Sequence, residues 1–155
     1  MQHISAMEIF CEHLEKILFI ERTLKETARK IGVSESCLKS WLAQKRAPSI
    51  RSLDRVADHI GCPTYQLVRR YPLEYGGNYL NNSHSALRKN LEAFFIKHQR
   101  FSMLQKLSLL QNEISDLSLT SYLRTKNYRL PTLHKLETIA QVLGVEAYEL
   151  LFWED

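Results

Sequence analysis

One stretch of this chain occurs twice, once in each half. The first copy runs from Pro48 to Cys62 and the second from Pro131 to Val145. Each copy begins with proline, a hydroxyl residue and an apolar residue, continues through a leucine and an acid to an alanine, and closes on an apolar residue and glycine. A Tyr-x-Leu sequence follows each glycine, at Tyr65 and at Tyr148. Agreement at so many aligned positions indicates that one structural unit is present twice.

The repeat continues upstream, where residues 13–15 (His-Leu-Glu) are similar to residues 90–92 (Asn-Leu-Glu). Between the two units lies a segment with a proline, a glycine pair and an asparagine pair, which are turn formers and breakers of regular structure. The sequence therefore predicts a first domain at residues 1–70, a linker at 71–85 and a second domain at 86–155. Three apolar linker residues are expected to pack on a domain: Tyr75, Tyr79 and Leu80.

Apolar residues recur at helical spacing in both halves, so an all-α fold with five short helices in each half is predicted. Thr23 and Glu26 have the spacing of a capping box, and the segment beginning at Ser102 has it in the second half. Gly32 is expected to end the helix that Thr23 begins, because glycine readily adopts the left-handed conformation. Ser34 is then a good N-cap for a third helix.

The segment from Thr23 to Ser34, followed by Leu38 and a basic loop before Pro48, resembles the Cro and phage-repressor class of helix-turn-helix domains. An alanine in the first helix of the motif, glycine in the turn and apolar residues after it are typical of that class. Residues 28–33 (Ala-Arg-Lys-Ile-Gly-Val) supply this pattern. The resemblance covers about residues 8–70 and 87–151, and it implies two tandem lambda-repressor-like helix-turn-helix domains.

The sequence departs from the family pattern in both halves. Thr27 stands where the family usually has leucine. The second half lacks the turn glycine and has Leu107 where the family prefers alanine. Two readings of the second domain therefore stay open, one in which it also reads DNA and one in which it does not.

The resemblance implies double-stranded DNA as the partner, with the third helix of the motif in the major groove and its N-terminal residues at base edges. Lys39 can donate to guanine and Glu35 can accept from cytosine. The predicted base-reading residues are Glu35, Ser36, Lys39, Ser40, Asp116, Leu117, Ser118, Thr120 and Ser121. Helix N-termini and basic clusters at the same place in each repeat suit phosphates. The predicted phosphate-binding residues are Thr23, Lys45, Arg46, Arg51, Ser102, Arg124, Lys126, Arg129 and Lys135.

Charge and composition agree with such a role without requiring it. The net charge is +4 and the pI is near 9.0, a mild basic excess that suits a polyanionic partner. No apolar run is long enough to span a bilayer and the N-terminus does not resemble a signal peptide, so a cytoplasmic protein is expected. The three cysteines lie far apart, and neither a metal site, a cofactor nor a small-molecule ligand is expected.

The sequence contains no Gly-rich phosphate loop, no Gly-x-Ser-x-Gly and no His-Glu-x-x-His, so an enzyme is not expected. The leading hypothesis is a sequence-specific transcriptional regulator. The alternative is a protein-interaction adaptor that keeps the fold without binding DNA. On DNA, a homodimer is favoured, with Phe152 and Trp153 as apolar pairing surface, and the other arrangement is one chain that covers two half-sites.

Overall fold

The computed structural model describes the backbone of residues 4–21, 23–97 and 121–154, and the side chains of these residues except 95–97. Its regular elements are all helical, which confirms the predicted all-α class for this part of the chain. The elements are α1 (Ala6–Glu21), α2 (Leu24–Ile31), α3 (Glu35–Leu42), α4 (Ile50–Ile60), a 3-10 helix (Thr64–Val68), α5 (Ser83–Lys97), α6 (Leu133–Leu143) and α7 (Ala147–Leu151). Among these residues, no helix is both long and apolar enough to cross a membrane.

Side-chain caps set the start of α3, at the predicted Ser34, and the start of α4. The Ser34 hydroxyl accepts a hydrogen bond from the Cys37 amide at 3.0 Å, and the Ser49 hydroxyl accepts one from the Ser52 amide at 3.1 Å. Each bond satisfies an amide that has no partner inside its own helix. Gly32 ends α2 in the left-handed conformation, with φ of 88°, as predicted.

The capping box predicted for α2 is wrong. Thr23 is the N-cap residue, but its side chain makes no capping hydrogen bond. Glu26, the expected reciprocal partner, instead pairs with Arg29 at 2.7 Å on the exposed face of the helix. The Glu26 carboxylate thus forms an i,i+3 ion pair on the helix surface in place of the capping interaction.

The first half encloses a core beneath the helix-turn-helix segment. Phe10 of α1 meets Trp41 of α3 edge to face, with ring centroids 5.9 Å apart. Leu38, Leu53 and other apolar side chains of α3, α4 and the 3-10 helix are fully buried around them. Each such side chain contributes about 1.5–3 kcal/mol by leaving water, so this core fixes the orientation of α3.

The segment predicted as a linker is held by polar contacts rather than by its aromatic residues. Tyr75 and Leu80 are exposed, which corrects the expectation that they pack on a domain. Gly76 N and Gly77 N donate to Ile60 O and Gly61 O, both at 2.9 Å. Asn81 fastens the far end, where its amide groups contact the Asp58 carboxylate and the Cys62 carbonyl. Helix α5 then begins at Ser83, inside the predicted linker range.

The two halves pack directly on each other. Ser49 and Thr132 face each other in an isolated antiparallel bridge, where Ile50 N donates to Pro131 O at 3.1 Å and Leu133 N donates to Pro48 O at 2.9 Å. Helix α1 contacts α6, α5 contacts α4, and α7 contacts the 3-10 helix. The buried apolar residues of the two halves therefore form one continuous core.

Candidate nucleic-acid interface

Helices α2 and α3 meet at a tight turn. Gly32 N and Val33 N both donate to Ala28 O, at 2.9 and 3.0 Å, so the chain reverses immediately after α2. Val33 is half-buried and packs against the core, which fixes the angle at which α3 leaves the turn. The inner face of α3 carries Leu38 and Trp41, both buried. The opposite face of α3 is therefore directed away from the core.

The outer face of α3 carries all four residues predicted to read bases in the first half. Ser36 and Lys39 are exposed, while Glu35 and Ser40 are half-exposed. Within the described parts of the chain, Lys39 takes part in none of the ion pairs. The Lys39 ammonium is thus available to a base-edge acceptor such as guanine O6 or N7.

Helix α2 is tied to its neighbours by a polar contact at the end of α1. The Glu21 carboxylate lies 2.5 Å from His59 Nε2 of α4, and both side chains are largely buried. Thr27 of α2 donates to the same carboxylate. Three helices therefore meet at Glu21, and this junction holds the helix-turn-helix unit against α1 and α4.

The loop after α3 presents basic side chains to solvent. Lys45 N donates to Ser40 O at 2.9 Å after Gln44 has adopted a left-handed conformation with φ of 57°. Lys45 and Arg46 are exposed, and no acid occurs in the sequence from residue 36 to residue 53. We call residues 43–47 the first basic loop. Cations without nearby acids suit contact with phosphate groups.

The second basic loop, residues 124–130, also contains a left-handed residue. Asn127 is left-handed with φ of 51°, and Arg124, Lys126 and Arg129 are exposed. Ser121, however, is buried, and its hydroxyl accepts from Arg129 N at 2.6 Å. The burial of Ser121 does not fit the base-reading role predicted for it. Its hydroxyl instead holds the end of the loop at Arg129.

Tyr128 anchors the second basic loop to α5. Its ring stacks on His84 at 3.5 Å between centroids, and His84 Nε2 lies 2.9 Å from Tyr122 O. Burial lowers the pKa of the His84 imidazole, and the nearby Arg88 lowers it further, against opposing contributions from backbone carbonyls. The lowered pKa favours the neutral imidazole, and His84 holds the loop through its stacking on Tyr128 and its contact with the Tyr122 carbonyl.

The structure brings the two basic loops together. They lead into the strand-like bridge between Ser49 and Thr132 from opposite directions, so Arg46 and Arg129 each stand two residues before a bridging proline. Arg51 and Lys135, in the first turns of α4 and α6, are also exposed beside the bridge. The two basic clusters, which are far apart in the sequence, thus lie on either side of the Ser49–Thr132 bridge.

One cation near the site was not predicted from the sequence. Arg55 is exposed on α4, and its Nη1 lies 3.9 Å from the point where a side-chain carbon at Gly32 would stand, so it reaches over the helix-turn-helix turn. Arg51 precedes it by four residues, a spacing that places both on one helix face and is the sequence signal by which Arg55 could have been found. The two arginines line a cleft of about 430 Å³ together with Tyr128 and His84.

The other predicted residues lie at the start of α2 or outside the described residues. Thr23 is exposed at the start of α2. Five predictions lie outside the described residues: Ser102, Asp116, Leu117, Ser118 and Thr120. Among the described residues, no group of histidine, cysteine and acidic side chains is arranged to hold a metal ion.

Comparison with known proteins addresses the first half of the chain. Residues 21–67 match the helix-turn-helix family, a range that includes α2, the turn, α3, the first basic loop and α4. Searches of curated proteins and of solved structures found no match. The matched family indicates a DNA-binding regulator, with double-stranded DNA as its partner. Residues 21–67 are a helix-turn-helix domain of the Cro/C1 type.

Proposed function

We propose that this protein is a transcriptional regulator that binds a specific sequence of double-stranded DNA and reads the major groove with α3. The observation that carries the proposal is the outer face of α3, where Lys39 is exposed next to an acid-free basic loop. A helix in the major groove needs polar side chains at base edges and cations at the flanking phosphates. Residues 35–46 supply the polar side chains on α3 and, directly after them, the cations of the first basic loop.

The basic residues of the second half support the same role. The second basic loop meets the first at the Ser49–Thr132 bridge, so a duplex lying on the first loop passes close to the second. We assign phosphate contacts to the exposed basic residues around this junction: Lys45, Arg46, Arg51, Arg55, Arg124, Lys126, Arg129 and Lys135. In this account the protein acts by binding and not by catalysis.

A protein-interaction adaptor is the second candidate function. Phe19 and Ile20, at the end of α1, are 85% and 62% exposed, and such apolar side chains suit contact with another protein. The two functions differ in their response to nucleic acid. An adaptor would show no salt-dependent affinity for duplex DNA, whereas the regulator must.

Selection of binding sites from a pool of random duplexes tests the proposal. We expect enrichment of one sequence motif, and we expect Lys39→Ala to weaken binding to the enriched duplex. Lys16→Ala, which removes an exposed lysine of α1, is the charge-matched control and should leave the affinity nearly unchanged. Failure to enrich any motif, at a salt concentration where random DNA is bound, would contradict sequence-specific reading.

A further inference from the structure

The contact between the two halves is reciprocal at the backbone. Ile50 N donates to Pro131 O, and Leu133 N donates to Pro48 O. In the repeated stretch, Pro48 corresponds to Pro131 and Ile50 corresponds to Leu133. Each bond is therefore the image of the other under exchange of the halves. Such exchange is the mark of an isologous interface, in which one patch pairs with its own equivalent.

The same reciprocity appears where acidic residues cap helices. Ala6 N, at the start of α1, donates to the Glu137 carboxylate of α6. Ser83 N, at the start of α5, donates to the Asp54 carboxylate of α4 at 3.1 Å. Asp54 and Glu137 are the corresponding acids of the repeat. Each half thus supplies a negative charge to a helix N-terminus of the other, where the helix dipole favours it.

A third pair of contacts lies within the halves rather than between them, and it joins corresponding residues of the repeat in each half. His13 Nε2 lies 2.9 Å from Arg69 O, just after the 3-10 helix. Asn90 Nδ2 donates to Phe152 O at 2.8 Å, just after α7. His13 and Asn90 are corresponding residues of the upstream repeat. The first helix of each half is therefore bound to the end of its last helix in the same way.

We infer that the two halves of this chain are each other's permanent two-fold partner, so that one chain, and not a homodimer, occupies a DNA site, and that this site is not palindromic. The DNA part of the inference rests on the proposed function. The pairing part rests only on the reciprocal contacts between the halves, at the Ser49–Thr132 bridge and at the two helix N-termini.

The paired face is closed to a second copy of the chain. Pro48, Ile50, Pro131 and Leu133 are all buried at the junction. At its edge, the Phe152 ring packs on Tyr65 of the other half, with centroids 4.9 Å apart. Phe152, one of the two C-terminal residues that the sequence offered for dimer formation, is thus already in contact with the first half.

The halves differ in the residues that they present to DNA. In the repeat, Lys39 of the first half corresponds to Thr120 of the second half, so the donor offered to base edges is charged in one half and neutral in the other. A two-fold arrangement of different halves contacts the two sides of a duplex differently. The preferred DNA sequence is therefore asymmetric.

Amide hydrogen exchange of the intact chain tests the pairing without DNA. Ile50 and Leu133 are the first residues of α4 and α6, and a first-turn amide has no partner within its own helix. We expect both amides to exchange at least about 100-fold more slowly than those of Arg51 and His134, the next first-turn amides and matched controls. Equal rates for the four amides would overturn the pairing.

A cut between the halves gives a second readout. A protease site inserted between Tyr79 and Leu80, where Leu80 is 94% exposed, allows the folded chain to be cleaved. We expect the fragments to stay together with the mass of one intact chain, 18.2 kDa plus the insert. Separation of the fragments, or a mass of two chains, would overturn the inference.

Light scattering on the selected duplex tests the DNA part. We expect one chain per duplex and a non-palindromic selected sequence. Two chains on a palindromic duplex would overturn the single-chain arrangement. If no duplex is bound at all, the proposed function fails, while slow exchange at Ile50 and Leu133 would still establish the pairing.

Discussion

Thr27 Oγ1 lies 2.6 Å from Glu21 Oε2, so a fully buried hydroxyl of α2 donates to the carboxylate that ends α1. The same hydroxyl lies 2.8 Å from Thr23 O. Thr27 is the residue that departs from the leucine usual in the helix-turn-helix family. The buried Thr27 hydroxyl is tolerated in the core because the Glu21 carboxylate accepts its hydrogen bond. The same carboxylate also contacts His59 Nε2.

Replacement of Thr27 by valine tests this network. Thr27→Val keeps the shape of the side chain but removes the donor, and we expect the free energy of unfolding to fall by about 1–2 kcal/mol. Urea denaturation measures the change. Thr125→Val, at an exposed threonine of the second basic loop, is the matched control and should have little effect. A Thr27→Val protein as stable as the parent would contradict the assigned hydrogen bond.

Two glycines in the same conformation are expected to respond differently to alanine. Gly32 and Gly61 both end helices with positive φ, 88° and 82°. A side-chain carbon at Gly32 would meet only Arg55 Nη1 at 3.9 Å, so Gly32→Ala should cost about 1–2 kcal/mol of backbone strain. At Gly61 it would lie 2.5 Å from the Gly77 backbone, so Gly61→Ala must also displace the linker.

Thermal unfolding of the two variants measures this difference. We expect Gly61→Ala to have the lower melting temperature, because backbone atoms cannot move aside as a flexible side chain can. Equal melting temperatures would show that residues 76–77 are not held against Gly61 in solution.

Acid should destabilise the protein through His13. Burial lowers the pKa of this imidazole below its usual 6.5, and Lys16 lowers it further, while the Arg69 carbonyl and Glu12 raise it. The unfolded chain therefore binds more protons than the folded chain between the lowered pKa and about 6.5. Stability is complete above that window and falls as the pH drops through it.

His13→Asn offers a test that preserves the hydrogen bond. Asn90 makes the equivalent bond to a carbonyl in the second half, so asparagine can replace the donor at position 13. We expect the variant to lose less stability than the parent when the pH is lowered from about 7 to about 5. Denaturant titrations at both pH values measure it. An unchanged pH dependence would exclude His13 as a contributor.

Two lysines are expected to affect DNA binding in different ways. Lys39 lies on the outer face of α3 and Lys45 in the first basic loop. Lys39→Ala should reduce discrimination between the selected and random duplexes by about 1–3 kcal/mol, whereas Lys45→Ala should weaken both similarly. Competition binding assays with both duplexes measure the ratio. An equal loss of discrimination in the two variants would contradict the assigned roles.

Local features of the first half could be predicted because they depend on neighbouring residues. Ser34 and Gly32 act as cap and terminator through contacts within a few residues, which a sequence pattern can represent. The Thr23–Glu26 capping box is also local, but it did not form. Glu26 has an alternative partner one turn away, Arg29, with which it forms an ion pair. The outcome depends on small free-energy differences that a pattern does not rank.

The junction of the halves could not be predicted in the same way. The Ser49–Thr132 bridge joins backbone atoms far apart in the sequence, and no side-chain pattern specifies which backbone groups will pair. Ser121 illustrates the consequence, because its place in the repeat suggested a base-reading residue while the return of the loop at Arg129 buries it. The repeat was visible in the sequence, but the contacts between its copies were not.

The most direct test of DNA recognition is the salt dependence of affinity for the selected duplex, measured by fluorescence anisotropy with the intact chain. The exposed cations around the Ser49–Thr132 junction should neutralise several phosphates, so log K should fall linearly with log salt at a slope of roughly −4 to −6. Arg46→Ala and Arg129→Ala should each reduce the magnitude of the slope by about one. A slope near zero, or no binding at about 50 mM salt, would contradict the proposed function.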